Sequence, residues 1–267
     1  MSQFLVIVLL IFLPLLGVFY TGKPLTPYLT FPPIPTDPGL ASFSWGHFLF
    51  LTFAILCLMA PFGWRMFSYS SSTNQTQANR HKFPWWGWVA LFWILGAWFL
   101  AWTRFQWFDT WQPHTFPLLW FGYIVLVNAL TYSRSGNCLL FDHAGFFLKL
   151  FPVSAGFWWY FEYLNEFVNN WNYANLPVLS PLQYTFHTSL AFSTVLPAFF
   201  CTMEFFSSFS RVTVPFRHWE PVPLLDLPQT GWTFLGIGSL GLSAISIWPT
   251  ILFPILWISP LLIFVGT

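Results

Sequence analysis

Four polar side chains recur at helical spacing in a stretch that is otherwise apolar enough to cross a membrane. They are Glu162, Asn165, Glu166 and Asn169, at positions i, i+3, i+4 and i+7. This spacing places all four on one face of a helix. Only 6% of the residues are charged, and a carboxylate in or near hydrocarbon is costly. An ordered polar face there therefore predicts a functional site.

Aromatic side chains flank Glu162, and this combination suits general acid chemistry. A general acid of this kind needs a carboxylic acid whose pKa is raised by apolar surroundings. A cation formed beside it is stabilised by nearby π faces, each by about 1–2 kcal/mol when desolvated. We expect Glu162 to be the acid and its neighbours to contact the substrate, namely Trp158, Trp159, Glu166, Asn169, Trp171 and Tyr173.

Spans that alternate in direction bring polar residues of similar depth together. The span that carries Glu162 runs outward and the next one runs inward, which places His187 at the same outer level. We expect Asn165 and His187 to orient Glu162. Nearer the inner face, three further polar residues form a second predicted group: Glu204, Lys149 and Arg134.

A structural role for the same residues is the alternative. In that interpretation Glu162 is a hydrogen-bonded packing residue, and Glu166 and Asn169 are the wet end of a span. His187 then packs between helices, and the Trp and Tyr residues form the aromatic belts at the two membrane interfaces. The spacing is compatible with both interpretations.

The composition is that of an integral membrane protein. Hydrophobic residues make up 56% of the 267 residues and aromatic residues 23%, more than a soluble domain can cover with polar surface. The net charge of +1 gives no electrostatic footprint for nucleic acid. The three cysteines form no metal or disulfide pattern, and no phosphate loop or HExxH occurs. No metal or cofactor is evident, but a bound carotenoid, quinone or other lipid is compatible with this composition.

Eight apolar segments approach the roughly 20 residues that a spanning helix needs. The first lacks the basic start and cleavage site of a signal peptide, so we interpret it as a retained span. Pro197 predicts a kink in the sixth. The last two are short or interrupted, so we predict an all-α membrane bundle of seven or eight spans, near residues 4–20, 45–64, 85–104, 114–132, 144–166, 183–207, 231–247 and 250–267.

Basic residues predict the orientation of the bundle. With a cytoplasmic N-terminus, seven Lys and Arg residues fall at inner loops or helix ends, and only Lys23 and Arg104 fall outside. The proline-rich segment 21–44 is expected to lie extended across the outer face. We expect a bacterial inner membrane or its equivalent, with the lipid bilayer as partner.

One motif occurs twice. Trp111 followed by Phe116-Pro117-Leu118-Leu119-Trp120 recurs 137 positions later as Trp248 followed by Phe253-Pro254-Ile255-Leu256-Trp257. Duplicated halves are common in membrane folds. We predict three parts: residues 1–110 with spans one to three, 111–230 as a first copy carrying the polar face, and 231–267 as the start of an incomplete second copy. Either that second copy is degenerate or the chain is the front part of a longer protein.

The residues from Phe161 onward resemble a known family. Phe161-Glu162, Asn165 and Trp171-x-Tyr173 are followed by Leu196-Pro197 and Glu204. This order, over about residues 155–207, resembles the membrane-bound lycopene cyclase domain and its carotenoid-hydratase relatives. Those families carry an acidic residue in a helix, a short spacer, W-x-[YF], then Leu-Pro and two adjacent glutamates, where this chain has Glu204 alone. The resemblance implies proton-initiated chemistry on a carotenoid or other long isoprenoid, in which Glu162 would protonate a double bond and the neighbouring π faces would stabilise the resulting carbocation.

Two classes of function lead from these observations. A membrane enzyme or binder of a long isoprenoid needs Glu162 to face an enclosed cavity. A non-catalytic accessory subunit of a photosynthetic or respiratory complex needs a broad apolar face for other membrane subunits, with Glu162 capped by local amides. A transporter, which a repeat and a polar stripe would also suit, comes third.

Overall fold

A computed structural model of the chain describes residues 3–33, 43–69, 81–173, 179–219 and 228–267. The described residues form α-helices and short 3₁₀ turns without strands, which confirms the all-α prediction. The helices are α1 (Gln3–Tyr20), α2 (Trp45–Ser68), α3 (Trp85–Trp102), α4 (Thr115–Ser135), α5 (Leu139–Asp142), α6 (Ala144–Val168), α7 (Pro181–Ser193), α8 (Val195–Ser207), α9 (Ser210–Thr213), α10 (Pro228–Ala244) and α11 (Pro249–Val265). The proline-rich segment 21–44 is not extended throughout, because Thr26–Leu29 form a 3₁₀ turn with a proline in its first turn. Residues 34–42 of the segment lie outside the described residues.

The chain divides into two compact units. Unit 1 contains α1, the part of α6 from Trp158 onward, α10 and α11. Unit 2 contains α2 to α5, the first part of α6, and α7 to α9. The three-part division by the sequence repeat stays a prediction.

Four helical stretches in the described residues are long and apolar enough to cross a membrane. They are Phe48–Ser68, Trp85–Trp102, Gln112–Ser135 and Pro181–Ser207. Shorter apolar helices cover Phe4–Tyr20 and Pro249–Val265. These helices support an integral membrane protein, with fewer unambiguous spans than the seven or eight predicted.

Unit 1 is fastened by side chains that satisfy the backbone of α1. Pro14 has no N–H, so the carbonyl of Leu10 loses its helical partner four residues on. The Tyr160 hydroxyl donates to that carbonyl at 3.3 Å, and the Tyr163 hydroxyl donates to the carbonyl of Ile11 at 2.6 Å. Unpaired backbone groups are costly in apolar surroundings. The two tyrosines therefore fix the end of α6 against α1.

Unit 2 is built on an antiparallel pair, α3 and α4. Gly87 at the start of α3 lies so close to Ala129 near the end of α4 that an added Cβ would be 2.7 Å from the alanine Cβ. At the other end, the Gln112 side chain donates to the carbonyl of Ala101 at 2.7 Å. The last turn of α4 thus lies beside the start of α3, and Arg104 lies at the opposite end of the pair. α8 packs against α4.

The sixth predicted span consists of two helices, α7 and α8, which meet at Thr194. Pro197 lies in the first turn of α8, where proline is tolerated, so the interruption falls three residues before the predicted kink. The buried Ser154 hydroxyl of α6 bridges it, donating to the carbonyl of Phe192 at 2.5 Å and accepting from the N–H of Leu196 at 3.0 Å. One hydroxyl thus pairs two backbone groups that flank the interruption.

Ser154→Ala should destabilise the protein, because both of these backbone groups would lose a partner inside a buried site. The expected loss is about 1–3 kcal/mol for the N–H of Leu196, while the carbonyl of Phe192 keeps the N–H of Thr194. Ser193→Ala is the matched control, because the Ser193 hydroxyl bonds within its own helix to the carbonyl of Leu190. Thermal unfolding followed by circular dichroism in detergent checks the difference. Equal melting temperatures for the two variants would show that Ser154 is dispensable.

Candidate functional site

The end of α6 turns the chain back on itself. Helix α6 ends at Val168, and Asn169 follows with a φ of 48°. This is the left-handed region, which Asn adopts more readily than most non-glycine residues because its short amide bonds locally. Asn169 therefore ends the helix and reverses the chain, and its own side chain is exposed.

Asn165 holds the returning chain in place. Its side-chain oxygen accepts from the N–H groups of Asn170 at 2.9 Å and Trp171 at 3.3 Å. Its side-chain N–H₂ donates to the carbonyl of Trp171 at 2.8 Å. Asn165 is 8% exposed, so these three hydrogen bonds are shielded from solvent. The residue is a positioning residue that fixes the segment following α6.

Two side chains of the returning segment donate hydrogen bonds to Glu162. One carboxylate oxygen, Oε1, accepts from the indole N–H of Trp171 at 3.1 Å and from the hydroxyl of Tyr173. Trp171 and Tyr173, two residues apart in the returning segment, thus donate to the same carboxylate oxygen. The Glu162 side chain is 8% exposed. A carboxylate with two aromatic donors is thus held inside unit 1.

Three indole rings wall the space beside this carboxylate. Trp158 lies one helical turn before Glu162, and Trp257 comes from α11. The Trp257 ring stacks on Phe161 with centroids 4.8 Å apart, and it lies 5.2 Å from the ring of Trp171. Offset aromatic packing of this kind is a favoured arrangement of aromatic pairs. The result is a cleft with a single acidic group and several π faces.

The cleft has a volume of about 270 Å³ and is open on one side, so Glu162 faces a partly open cleft and not an enclosed cavity. It is lined by Trp158, Glu162, Asn170, Trp171, Tyr173 and Trp257, and we call these six residues the Glu162 cleft. Polar surface is confined to a few groups, which is the pattern of sites for organic ligands. Chemically, this arrangement can hold an apolar group against one carboxyl group.

Several residues predicted for this site lie elsewhere. The Trp159 ring packs on Phe31, with centroids 4.9 Å apart, and does not line the cleft. Glu166 is half-buried, one turn beyond Glu162, and also lies outside the lining. His187 belongs to unit 2, where its ring stacks on His114 with centroids 4.0 Å apart. Adjacent helical positions point in different directions, which is why Trp159 diverges from Trp158.

The residues of the second predicted group, Glu204, Lys149 and Arg134, do not form ion pairs with one another. The Glu204 carboxylate accepts from the N–H of Leu139 at 3.0 Å, at the start of α5. The neighbouring N–H of Leu140 donates to the buried Asn128 side chain at 3.0 Å. These acceptors satisfy the unpaired N–H groups that every helix start carries. Glu204 is therefore a helix cap.

The two cations of that group have other surroundings. Arg134 donates to the hydroxyl of Ser208 at 2.9 Å. Lys149 is exposed on α6. Glu204 therefore accepts from the backbone of α5 and not from either cation.

The sequence does not predict two of the residues that line the Glu162 cleft. Trp257 was visible only as the last residue of the repeated motif, and nothing in the sequence relates it to Glu162. Asn170 lay one residue beyond the helical stripe, and its place in the lining depends on the chain reversal at Asn169. Among the described residues, no three His, Cys, Asp or Glu side chains converge as metal ligands would.

Comparisons of the chain with protein-family models, with curated proteins and with solved structures find no match.

Proposed function

We propose that this protein is a multi-pass membrane protein that takes one end of a long isoprenoid into the Glu162 cleft and acts on it by acid–base chemistry. The observation that carries the proposal is a carboxylate that faces an aromatic cleft and is held by aromatic side chains, with no cap of local amides. Pockets for whole organic ligands measure about 300–1,000 Å³. A cleft of about 270 Å³ suits one end of a long chain, whose remainder stays in the bilayer.

In the proposed reaction Glu162 transfers its proton to a carbon of a double bond. The O–H bond breaks, a C–H bond forms, and the other alkene carbon becomes a cation next to the indole faces of Trp158, Trp171 and Trp257. Loss of a neighbouring proton back to Glu162 gives an isomerised or cyclised alkene, and no co-reactant is needed. The Tyr173 hydroxyl stabilises the carboxylate while the proton is on the substrate. Asn165 acts by positioning Trp171.

The proposed topology has seven or eight spans, with a cytoplasmic N-terminus and an internal repeat. Beyond the four clear spans, α1, α6, α10 and α11 supply apolar helices of 17–25 residues. The two copies of the repeated motif begin at equivalent places, each with a tryptophan just before an apolar helix. This likeness supports the proposed duplication. Trp111 directly precedes the helical stretch Gln112–Ser135, and Trp248 directly precedes Pro249–Val265. We propose a bacterial inner membrane or its equivalent as the location.

An accessory subunit of a larger membrane complex is the second candidate function. The exposure of α2 favours this function. No residue of its stretch Phe48–Ser68 is buried in the protein. A helix with apolar residues on every side needs lipid or partner helices around it. A constant set of polypeptides that copurifies in mild detergent would support this function and leave the Glu162 cleft as a packing feature.

Filling the Glu162 cleft tests the first proposal directly. Asn170→Trp places a large ring in the lining and should weaken saturable binding of a polyprenol at least tenfold, measured in detergent by equilibrium binding of the labelled lipid. Asn172→Trp is the matched control, because Asn172 is exposed two residues along the same segment and does not line the cleft. If both variants bind the polyprenol as tightly as the unmodified protein, the cleft is not the site.

A further inference from the structure

One end of unit 2 collects basic side chains. Arg65 lies in the last turn of α2 and Arg134 in the last turn of α4, and the chain after α8 carries Arg211 and Arg217. Lys82 comes just before α3. We call these five residues the basic end.

Hydrogen bonds from two of the arginine side chains bring members of the basic end together. The Arg65 guanidinium donates to the carbonyl of Pro215 at 2.7 Å, which ties the end of α2 to the chain that carries Arg211 and Arg217. Arg134 donates to the hydroxyl of Ser208 at 2.9 Å, which ties the end of α4 to the same segment.

Lys82 lies at the basic end because the residue before it, His81, is hydrogen-bonded to the last turn of α4. The backbone N–H of His81 donates to the carbonyl of Ser133 at 2.9 Å, in the last turn of α4. Residues from four separate parts of the chain therefore share one end of the unit.

Within the described residues, no carboxylate neutralises the positive charge of the basic end. Across the described ranges, none of the five residues pairs with a carboxylate. The nearby acids Asp142 and Glu204 accept from the backbone N–H groups of Cys138 and Leu139. Arg134 is half-buried and the other four cations are exposed, and a cluster of this kind without counter-charges attracts anions from outside the molecule.

Aromatic rings lie among these cations. The Arg134 guanidinium lies 3.6 Å from the ring centroid of Phe209, and that of Arg65 lies 5.9 Å from the ring of Trp219. Trp219 in turn packs edge-on against Phe216, with centroids 5.0 Å apart. Aromatic rings with Lys and Arg at the ends of apolar helices are typical of the headgroup layer of a membrane.

We propose that the basic end binds the headgroups of anionic phospholipids. Three apolar helical stretches, Phe48–Ser68, Gln112–Ser135 and Pro181–Ser207, run to it, so a lipid whose acyl chains lie along these helices presents its phosphate at the level of the arginines. Each guanidinium carries five N–H donors, and Arg65 and Arg134 retain donors beyond those used on Pro215 and Ser208. The binding surface is independent of the Glu162 cleft.

The test is native mass spectrometry of the full chain in detergent with equal amounts of phosphatidylglycerol and phosphatidylcholine. We expect phosphatidylglycerol to be retained preferentially. The double substitution Arg211→Gln and Arg217→Gln should reduce that preference at least tenfold, since each charge near an anionic headgroup contributes about fivefold. Both side chains are exposed, so the fold should survive, and elution volume with circular dichroism checks this.

Arg104→Gln, at the opposite end of unit 2, is the control, to be compared with Arg217→Gln as a single change. The Arg104 control should leave the preference for phosphatidylglycerol unchanged. Equal retention of the two lipids by the unmodified protein would overturn the proposal, and so would an equal loss in the Arg104 and Arg217 variants. Occupation of this end by an acidic polypeptide that excludes phosphatidylglycerol would also overturn it.

Discussion

Glu162→Gln should lower isoprenoid conversion at least 100-fold while leaving the protein folded. Loss of a general acid typically costs 10²–10⁴ in rate, and glutamine has no proton of suitable acidity to transfer. The glutamine side chain keeps an oxygen that can accept from Trp171 and Tyr173, as Glu162 Oε1 does. The geometry of the cleft should therefore persist. The measurement is product formation, followed by chromatography, from a carotenoid or polyprenol supplied in detergent or vesicles.

Glu166→Gln is the matched control for this prediction. Glu166 is one helical turn from Glu162 and does not line the cleft, so its substitution should leave conversion within about twofold, on the scale of surface changes of about 0.5 kcal/mol. Full conversion by Glu162→Gln would remove the acid role. Equal losses in both variants would point to a general electrostatic effect instead of proton transfer.

Asn165→Ala should have the largest effect on the structure of the site. It removes three hydrogen bonds to the segment after α6, each contributing about 1 kcal/mol. At about 2–4 °C per kcal/mol, the melting temperature should fall by about 6–12 °C. Trp171 and Tyr173 should then leave Glu162. Hydrogen exchange at the amides of Asn170 and Trp171 should rise, and polyprenol binding should weaken.

Asn169→Gly serves as the control for Asn165→Ala. Glycine adopts a positive φ without strain, so the chain reversal should remain and the melting temperature should change little. If Asn165→Ala keeps both its melting temperature and the exchange protection of residues 170 and 171, the returning segment is held by other contacts. The positioning role of Asn165 would then be wrong.

The polar face of α6 was predictable from the sequence. The residues that line the Glu162 cleft were predictable only in part. Helical spacing places Glu162 and Asn165 on one face, and the structure buries both. The same stripe includes Glu166 and Asn169, which line no cleft, because the helix ends at Val168 and periodicity says nothing beyond a helix terminus. The left-handed φ at Asn169 decides where the next residues go. That conformation depends on Asn165 bonding the returning chain, which a spacing rule cannot represent.

Long-range pairings were beyond the sequence for a similar reason. The apolar helices have Trp and Phe on most sides, so hydrophobic patterning does not show which face of α11 carries its tryptophan to Glu162. The role of Glu204 as a cap for α5 was also hidden, because a four-residue helix has no periodicity. The depth of each residue in its span predicts Glu204 near Arg134. The structure instead gives Glu204 a backbone N–H group as its donor. The partner that bonds both sides of the interruption at Thr194 is Ser154, 40 positions earlier in the chain.

The most direct test of the Glu162 cleft as an isoprenoid site is mass spectrometry of the lipids and polypeptides that remain with the protein after gentle purification from its native membrane. The proposed function predicts one carotenoid, quinone or polyprenol per chain on an otherwise solitary protein. That lipid should be absent from the Asn170→Trp variant and present in Asn172→Trp. A constant set of partner polypeptides without any isoprenoid would contradict the proposal and make the chain an accessory subunit.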